Sequence, residues 1–229
     1  MKELCLIPLF CASIAATEAK VTFPITRYEY AVTANLDKAA TTLNELTIAA
    51  GTEFSLNTTL GPRNAATGYK KAPVFGGGGV SIREFGGGLC MVSSLLYNLF
   101  LVAGLEITER HAHQRVVKYT APGLDATIDF NRKDLRVKNI LPYAVKIRLV
   151  RHGKYLTGEL YATGKHALPT DIRVEREVAS DMIPGALEPG FRVRTVRVHY
   201  AGGFPRRKEI LSEDTFLPID HAAEGGPLE

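Results

Sequence analysis

Cysteine is scarce in this chain, and its scarcity limits what the protein can be. The sequence has 229 residues and three cysteines, two of which, Cys5 and Cys11, lie in an apolar stretch at the N-terminus. If export removes that stretch, Cys90 is the one thiol left and cannot form an internal disulfide. The fold must then rely on a hydrophobic core. Cys90 itself is then a small buried side chain, a metal ligand or a nucleophile.

Long apolar runs and blocks of one charge are also lacking. The apolar segment at residues 4–16 is too short to form a transmembrane helix. The 28 basic and 24 acidic side chains leave a formal charge of only +4. No basic block carries interleaved aromatic residues, so we expect no nucleic-acid partner. The composition, 45% hydrophobic and 23% charged, is that of an ordinary globular protein.

Residues 1–19 have the layout of a secretory signal peptide. A short charged start precedes the apolar segment at 4–16, and small residues dominate positions 15–19. No lipoprotein cleavage pattern precedes Cys5 or Cys11, so we expect no lipid anchor. The alternative is a buried N-terminal helix. We predict an exported protein of the periplasm, cell envelope or exterior, with no transmembrane segment after cleavage.

Cys90 lies where Gly86, Gly87 and Gly88 give way to an apolar segment at 91–103, which we predict to be a buried helix. At the start of that helix, free backbone N–H groups and the helix dipole would stabilise a thiolate or an oxyanion. The glycines would let a substrate backbone approach closely. The polar residues predicted to share one helical face with Cys90 are Ser93, Ser94, Tyr97 and Asn98. We therefore predict the three glycines, with Ser93 and Ser94, as substrate-binding residues.

Two histidines downstream, His111 and His113, are candidates for a base. The helix carries the chain about 20 Å from Cys90, at about 1.5 Å per residue. Gly104 is predicted to end it. A strand at 105–109, rising about 3.3 Å per residue, can bring a histidine back to the thiol. Either could pair with Cys90; we assign His113 as the base and His111 to substrate binding.

Asp125, which follows a turn, is the candidate that would orient the imidazole, and Asp129 is the alternative. Cys, His and Asp together form a workable thiol-hydrolase site. Alternatively, His111 and His113 could join Cys90 on zinc, but no fourth ligand is evident. We therefore expect no metal and no other cofactor.

Several blocks of the sequence resemble the VanW family. They are residues 52–57, 60–63, 68–74, 86–98, 109–113 and 123–128. The resemblance runs from about Thr22 to Pro218. It implies an exported or envelope-attached bacterial protein from a family named after a glycopeptide-resistance gene cluster, and it assigns no reaction.

Two positions depart from the family pattern. Met91 stands where the family usually has Gln, and Gln114 stands where it usually has Ser. If that family Gln contacts the substrate or an oxyanion, Met91 cannot replace it.

The remaining segments are predicted to be scaffold. Residues 35–46 show helical spacing, with Asn35 as the N-cap. A short strand is predicted at 54–57. Further strands are predicted at 115–120, 126–130, 135–140 and 143–150, and a tight turn leads from the last of these into 155–162.

A glycine- and proline-marked loop at 61–79 is predicted to lie over the site. In that loop, Arg63 and Tyr69 are candidates to bind a carboxylate or a sugar.

We predict an α+β fold in which a buried central helix packs on a mostly antiparallel β-sheet, with a C-terminal β-hairpin extension. The predicted organisation is a signal peptide at 1–19, a core domain at 20–164, a hairpin extension at 165–221 and a disordered tail at 222–229.

The predicted function is that of an exported cell-envelope protein acting on peptidoglycan or its stem peptides. In the catalytic version, Cys90, His113 and Asp125 hydrolyse or transfer amide bonds. In the alternative, the protein is a cell-wall binding or accessory protein in which Cys90 is structural.

Overall fold

Twelve strands and three helices form the described part of this computed structural model, residues 18–75, 81–179, 182–184 and 189–218. The helices are α1 Tyr30–Leu43, α2 Leu56–Leu60 and α3 Leu89–Val102. The strands are β1 Glu18–Pro24, β2 Thr47–Ile48, β3 Glu53–Ser55, β4 Lys71–Phe75, β5 Ser81–Phe85, β6 Glu106–Glu109, β7 Arg136–Lys138, β8 Val145–His152, β9 Tyr155–Ala162, β10 Ile172–Val178, β11 Phe191–Ala201 and β12 Phe204–Phe216. Helices combined with antiparallel sheets confirm the predicted α+β class.

The main sheet has the strand order β1-β9-β8-β2 and is antiparallel throughout. In β8, Val145, Ile147 and Leu149 are buried while the residues between them are more exposed, as expected of a sheet with one face on the core. The β8–β9 hairpin, with His152 paired to Tyr155, confirms the tight turn predicted there.

The central helix α3 lies on this sheet, close to its predicted range, and nearly all its residues are buried. A Cβ added at Gly158 of β9 would lie 2.1 Å from Leu95 Cδ2, so the helix and strand are in close contact there. Gly104, with a φ of +78°, follows the helix as predicted. Its N–H donates to Leu101 O and that of Leu105 to Phe100 O, which satisfies two of the last carbonyls of the helix.

Helix α1 begins five residues earlier than predicted, and Asn35 is not its N-cap. Asn35 is buried in the middle of the helix, where its amide nitrogen donates to Lys70 O and Gly87 O, both at 3.0 Å. Its amide oxygen accepts from Lys70 N–H at 2.8 Å. The side chain therefore ties α1 to segments far along the chain, which helical spacing does not reveal.

Two predicted strands are absent from the segment that follows β6. Residues 115–120 and 126–130 form no strand; only an isolated bridge between Asp129 and Lys133 lies there. Conversely, the predicted loop at 61–79 contains β4, which pairs with β5 as a hairpin that sequence spacing did not indicate.

The C-terminal region contains the predicted hairpin, formed by β11 and β12, and a further strand, β10, extends it to a three-stranded sheet. Gly202 and Gly203 form the turn between β11 and β12, and β10 was not predicted. Arg197 of β11 donates from Nη2 to Leu105 O at 2.8 Å, which attaches this sheet to the end of α3.

Both chain ends lie largely outside the described residues. The structure does not describe residues 1–17 of the predicted signal peptide or the predicted tail at 222–229. Glu18 and Ala19, at the predicted end of the signal peptide, lie in β1 and pair with Tyr161 and Leu160. Within the described residues, no helix has the length and apolar character needed to span a membrane.

Candidate active site

The structure brings Cys90, His113 and Asp125 together in one chain of contacts. His113 Nδ1 lies 2.7 Å from Asp125 Oδ2, and the His113 backbone N–H donates to the same oxygen at 2.7 Å. The ring is also close enough to the Cys90 thiol to lower the pKa of that thiol. Because Asp125 holds Nδ1, the nitrogen left for Cys90 is Nε2. The base and the orienting carboxylate are therefore fixed by two contacts to one carboxylate oxygen.

Cys90 is the second residue of α3 and is partly exposed. Its Sγ lies 3.4 Å from Thr127 Oγ1 and 3.8 Å from Ile128 O. In the first turn of a helix, backbone N–H groups lack partners within the helix. The neighbouring N–H groups of Leu89 and Met91 bond to glycine carbonyls, which leaves that of Cys90 without an acceptor among the described residues. That N–H can donate to a developing oxyanion.

The surroundings of Cys90 favour its thiolate. Burial acts to raise the pKa of Cys90, but the hydrogen bond and positive charge of His113, assisted by Thr127 and Ile128, outweigh it. The pKa falls from 9.0 to about 7. A nucleophilic thiolate is thus accessible near neutral pH.

The pKa of His113 moves in the opposite direction. Burial acts to lower it, but the hydrogen bonds and negative charges of Asp125 and Cys90 raise it from 6.5 to about 9. Between about pH 7 and pH 9 the two groups therefore form a thiolate–imidazolium pair. This is the ionisation state in which the cysteine can attack and the histidine can donate a proton.

Asp125 remains a carboxylate although it is fully buried. Burial acts to raise its pKa, whereas the hydrogen bond from His113 and the charge of Arg110 lower it below its usual value. Arg110 donates from Nη2 to Asp125 Oδ1 at 3.2 Å and from Nε to Asp125 O at 2.7 Å. Asp129, the alternative in sequence, pairs instead with Arg132 at the surface.

The glycine run has a packing role that differs from the predicted one. Gly86 and Gly87 are buried, and a Cβ at Gly87 would lie 2.4 Å from Ala72 O of β4. Gly88 has a φ of +97° at the start of α3, a conformation that glycine adopts at low cost. The run therefore lets the chain pass β4 and turn into the helix, and of the three glycines only Gly88 is partly exposed.

The polar face of α3 holds a protein loop and does not line a cleft. Ser94 Oγ accepts from Ala126 N–H at 2.8 Å and donates to Ala126 O at 3.2 Å. Asn98 Nδ2 donates to Leu124 O at 2.7 Å. Ser93 is fully buried, and its Oγ has no hydrogen-bond partner among the described residues. Both serines, predicted to contact substrate, are thus enclosed in the interior.

Of the predicted loop residues, Arg63 lies by the site and Tyr69 does not face it. Arg63 packs against Gly86, and its guanidinium lies 5.3 Å from the Phe130 ring centroid. Its charge interacts favourably with Cys90, although burial lowers the pKa of Arg63. Tyr69 is buried, and its hydroxyl donates to Leu60 O at 3.2 Å.

His111 is the histidine that does not join the chain of contacts. Its Nε2 lies 2.9 Å from Glu109 Oε1 on a half-exposed surface, while its carbonyl accepts from Thr127 N–H at 2.8 Å. The zinc alternative needs the imidazoles of His111 and His113 and the Cys90 thiol around one ion, whereas the His111 ring contacts Glu109. In the described part of the chain, no three His, Cys, Asp or Glu residues are placed to hold a metal ion.

Sequence reasoning missed three residues around the thiol: Arg110, Tyr119 and Thr127. Tyr119 approaches Ser94 Oγ at 3.5 Å, and the pKa of Tyr119 is raised by burial and by the Cys90 charge. Arg110 and Thr127 lie inside blocks that carry the family resemblance, which was the one signal that could have found them.

Comparison with known proteins establishes the family. Residues 31–161 match the family model described as VanW like protein. The chain belongs to the VanW family. Cys90, His113 and Asp125 all lie inside the matched residues, whereas β10, β11 and β12 lie outside them.

Two curated relatives show how far the likeness extends. The chain is 36% identical over 129 residues to the uncharacterized protein YoaR of Bacillus subtilis (strain 168), which covers 56% of this chain and 42% of that protein. It is 32% identical over 134 residues to the vancomycin B-type resistance protein VanW of Enterococcus faecalis (strain ATCC 700802 / V583), which covers 56% of this chain and 48% of that protein. The match thus spans under half the length of each relative. No solved structure matches the chain.

The two departures from the family pattern have different surroundings. Met91 is buried in the hydrophobic core, so a polar side chain there would need an internal hydrogen-bond partner. Gln114 accepts from Leu217 N–H through its carbonyl at 2.8 Å, a backbone contact that any residue can make.

Proposed function

We propose that this VanW family protein is a cysteine-dependent amide hydrolase or transferase that acts on peptidoglycan peptides in the cell envelope. The single observation that carries the proposal is the chain of contacts from Asp125 through His113 to the partly exposed Cys90 at the start of α3. A cysteine that only packed in the core would need neither a buried carboxylate nor a charged imidazole behind it.

The contacts support a two-step acyl transfer. The Cys90 thiolate attacks an amide carbonyl carbon, forming a C–S bond while the carbonyl electron pair moves to oxygen. The backbone N–H of Cys90 donates to that oxyanion. The intermediate collapses to a thioester as the C–N bond breaks, and the His113 imidazolium gives its proton to the leaving nitrogen.

In the second step, water or an acceptor amine attacks the thioester while neutral His113 takes its proton. The C–S bond breaks, the acyl group leaves as an acid or a new amide, and the thiolate–imidazolium pair is restored. Asp125 keeps Nδ1 as the donor nitrogen, which leaves Nε2 to exchange the proton in both steps.

The proposed substrate class follows from the groups beside the thiol. Arg63, half-buried next to Gly86, offers a cation within electrostatic reach of Cys90, which suits a peptide carrying a carboxylate near the scissile amide. His111 adds a half-exposed imidazole. The resistance protein among the relatives is named for vancomycin, which supports an envelope role, and residues 1–19 have the layout of an export signal.

The test is product formation from peptidoglycan stem peptides by the purified protein and by Cys90→Ala, followed by mass spectrometry. The proposal expects wild type to release or exchange an amide-linked group and Cys90→Ala to do neither. Glu213→Gln, on the exposed face of β12, is the control expected to keep wild-type turnover. Equal binding of the peptides by wild type and Cys90→Ala, with no product from either, would show an accessory binding protein instead.

A further inference from the structure

We infer that Asp214 of β12 is a positioning residue for the Cys90–His113 pair, so that the C-terminal sheet completes the site. The inference rests on the proposed function for its catalytic meaning, although the arrangement itself can be tested without a substrate. Asp214 lies outside the family-matched residues 31–161. The matched segment alone would therefore lack part of the apparatus that holds the base.

Arg110 is the link between Asp214 and the site. Its Nη1 donates to both carboxylate oxygens of Asp214 at 2.6 Å, while its Nε and Nη2 hold the carbonyl and the carboxylate of Asp125. Arg110 and Asp214 side chains are only 5% and 9% exposed, so water screens this contact little. The polar chain thus runs from Asp214 through Arg110, Asp125 and His113 to Cys90.

Each end of the Arg110 contact is itself fixed. Ser212 Oγ donates to Asp214 Oδ2 at 3.0 Å, and Asp214 pairs with Val193 in the ladder between β11 and β12. The Arg110 guanidinium also lies 5.1 Å from the ring centroid of Tyr97 on α3. Arg110 therefore lies between the helix that carries Cys90 and the C-terminal sheet. Contacts with both elements fix the orientation of its guanidinium group.

The same sheet holds the loop that carries Asp125 at other points. Thr195 Oγ1 donates to Gly123 O at 3.0 Å, and a Cβ at Gly123 would lie 2.6 Å from that hydroxyl. Arg176 Nη1 donates to Pro122 O at 3.0 Å. The sheet therefore holds the loop at Pro122 and Gly123, and α3 holds it on both sides of Asp125, at Leu124 and Ala126.

Removing the charge of Asp214 should change the pKa of His113, and electrostatics gives the direction of that change. His113 directly contacts Asp125 and Cys90, Arg110 lies behind Asp125, and Arg63 and Tyr119 act on Cys90. Without Asp214, the positive charge of Arg110 would be balanced by Asp125 alone. That leaves less negative potential for the imidazolium, so the pKa of His113 should fall from about 9 towards 6.5.

The experiment is an NMR titration of the His113 imidazole in the full chain, without substrate, for wild type and Asp214→Asn. The signal is assigned by its loss in His113→Gln. The expected result is a drop in the His113 pKa of about one unit or more in Asp214→Asn, a tenfold change in its acid constant. Glu213→Gln is the matched control because Glu213 is the neighbouring acidic residue of β12 and pairs with Arg194 at the surface. It should leave the His113 pKa unchanged.

A second variant separates positioning from general damage. Arg110→Gln combined with Asp214→Asn removes both buried charges, and it should return the His113 pKa most of the way to its wild-type value. A folded Asp214→Asn with an unchanged His113 pKa would overturn the inference. If that variant does not fold, Asp214→Glu replaces it: the longer side chain cannot keep both 2.6 Å contacts, so a smaller drop is expected and no drop overturns the inference.

The outcomes distinguish this inference from the proposed function. Absence of product from stem peptides, together with a lowered His113 pKa in Asp214→Asn, would remove the proposed reaction and leave the role of Asp214 standing. Turnover by wild type with no pKa change in Asp214→Asn would do the reverse.

Discussion

The two halves of the site are built in different ways. Cys90 stands on α3, whose backbone is held by its own hydrogen bonds and whose side chains are buried almost all round. His113 and Asp125 stand on the segment after β6, where residues 111–128 form neither helix nor strand. The nucleophile is thus placed by regular backbone structure, and its base by side chains that reach in from elsewhere.

The comparison shows where the base obtains its rigidity. A segment without a ladder or helix must satisfy its backbone groups by other means. Here Ser94 and Asn98 of α3 bond to Ala126 and Leu124, and the Asp125 carboxylate accepts from His113 N–H. These contacts provide the hydrogen bonds that a helix or a strand ladder would otherwise supply to the segment.

The largest effect on stability is expected from removing the carboxylate of Asp125, which lies in the segment at 111–128 that forms neither helix nor strand. Asp125→Asn removes a buried charge held by Arg110 and His113, so we expect it to lower the free energy of unfolding by about 3–5 kcal/mol. Urea denaturation at pH 7.5 measures this. Asp129→Asn is the control: that residue pairs with Arg132 at the surface, so the loss should stay below about 1 kcal/mol. Equal losses would mean that Asp125 is not the anchor of this segment.

A smaller effect should separate two adjacent serines of α3. Ser94→Ala leaves the buried Ala126 N–H without its acceptor, and we expect it to cost about 1–3 kcal/mol of unfolding free energy. Ser93→Ala removes a buried hydroxyl that has no partner among the described residues, and stability should be unchanged or raised. Thermal unfolding of both variants provides the comparison. A costly Ser93→Ala beside a neutral Ser94→Ala would show that α3 does not hold the loop in this way.

Sequence reasoning succeeded where periodicity decides structure. The apolar pattern after Gly88 identified α3, and the strands predicted on either side of a tight turn, at 143–150 and 155–162, correspond to β8 and β9. The estimate that a strand after Gly104 returns to the thiol led to the segment that carries His113, although it could not choose between the two histidines.

The rest depends on contacts between residues distant in sequence, which local patterns do not encode. Asn35 reads as an N-cap yet bonds to Lys70 and Gly87 across the fold. The glycine run suggested that a substrate backbone could approach closely. In the structure, the backbone of β4 passes so close to Gly87 that no side chain fits there. Asp214, 104 positions from Arg110, carries no local signal of its role at all.

The most direct test of the central claim is the pH dependence of Cys90 alkylation by iodoacetamide. If the pair is a thiolate and an imidazolium, the wild-type rate rises with a midpoint near pH 7, and a further step follows near pH 9 as His113 loses its proton. His113→Gln removes the hydrogen bond and the positive charge of the imidazolium while burial remains, so the midpoint should move up towards the ordinary value of 9.0. A wild-type midpoint near 9, or one that His113→Gln leaves in place, would contradict the account.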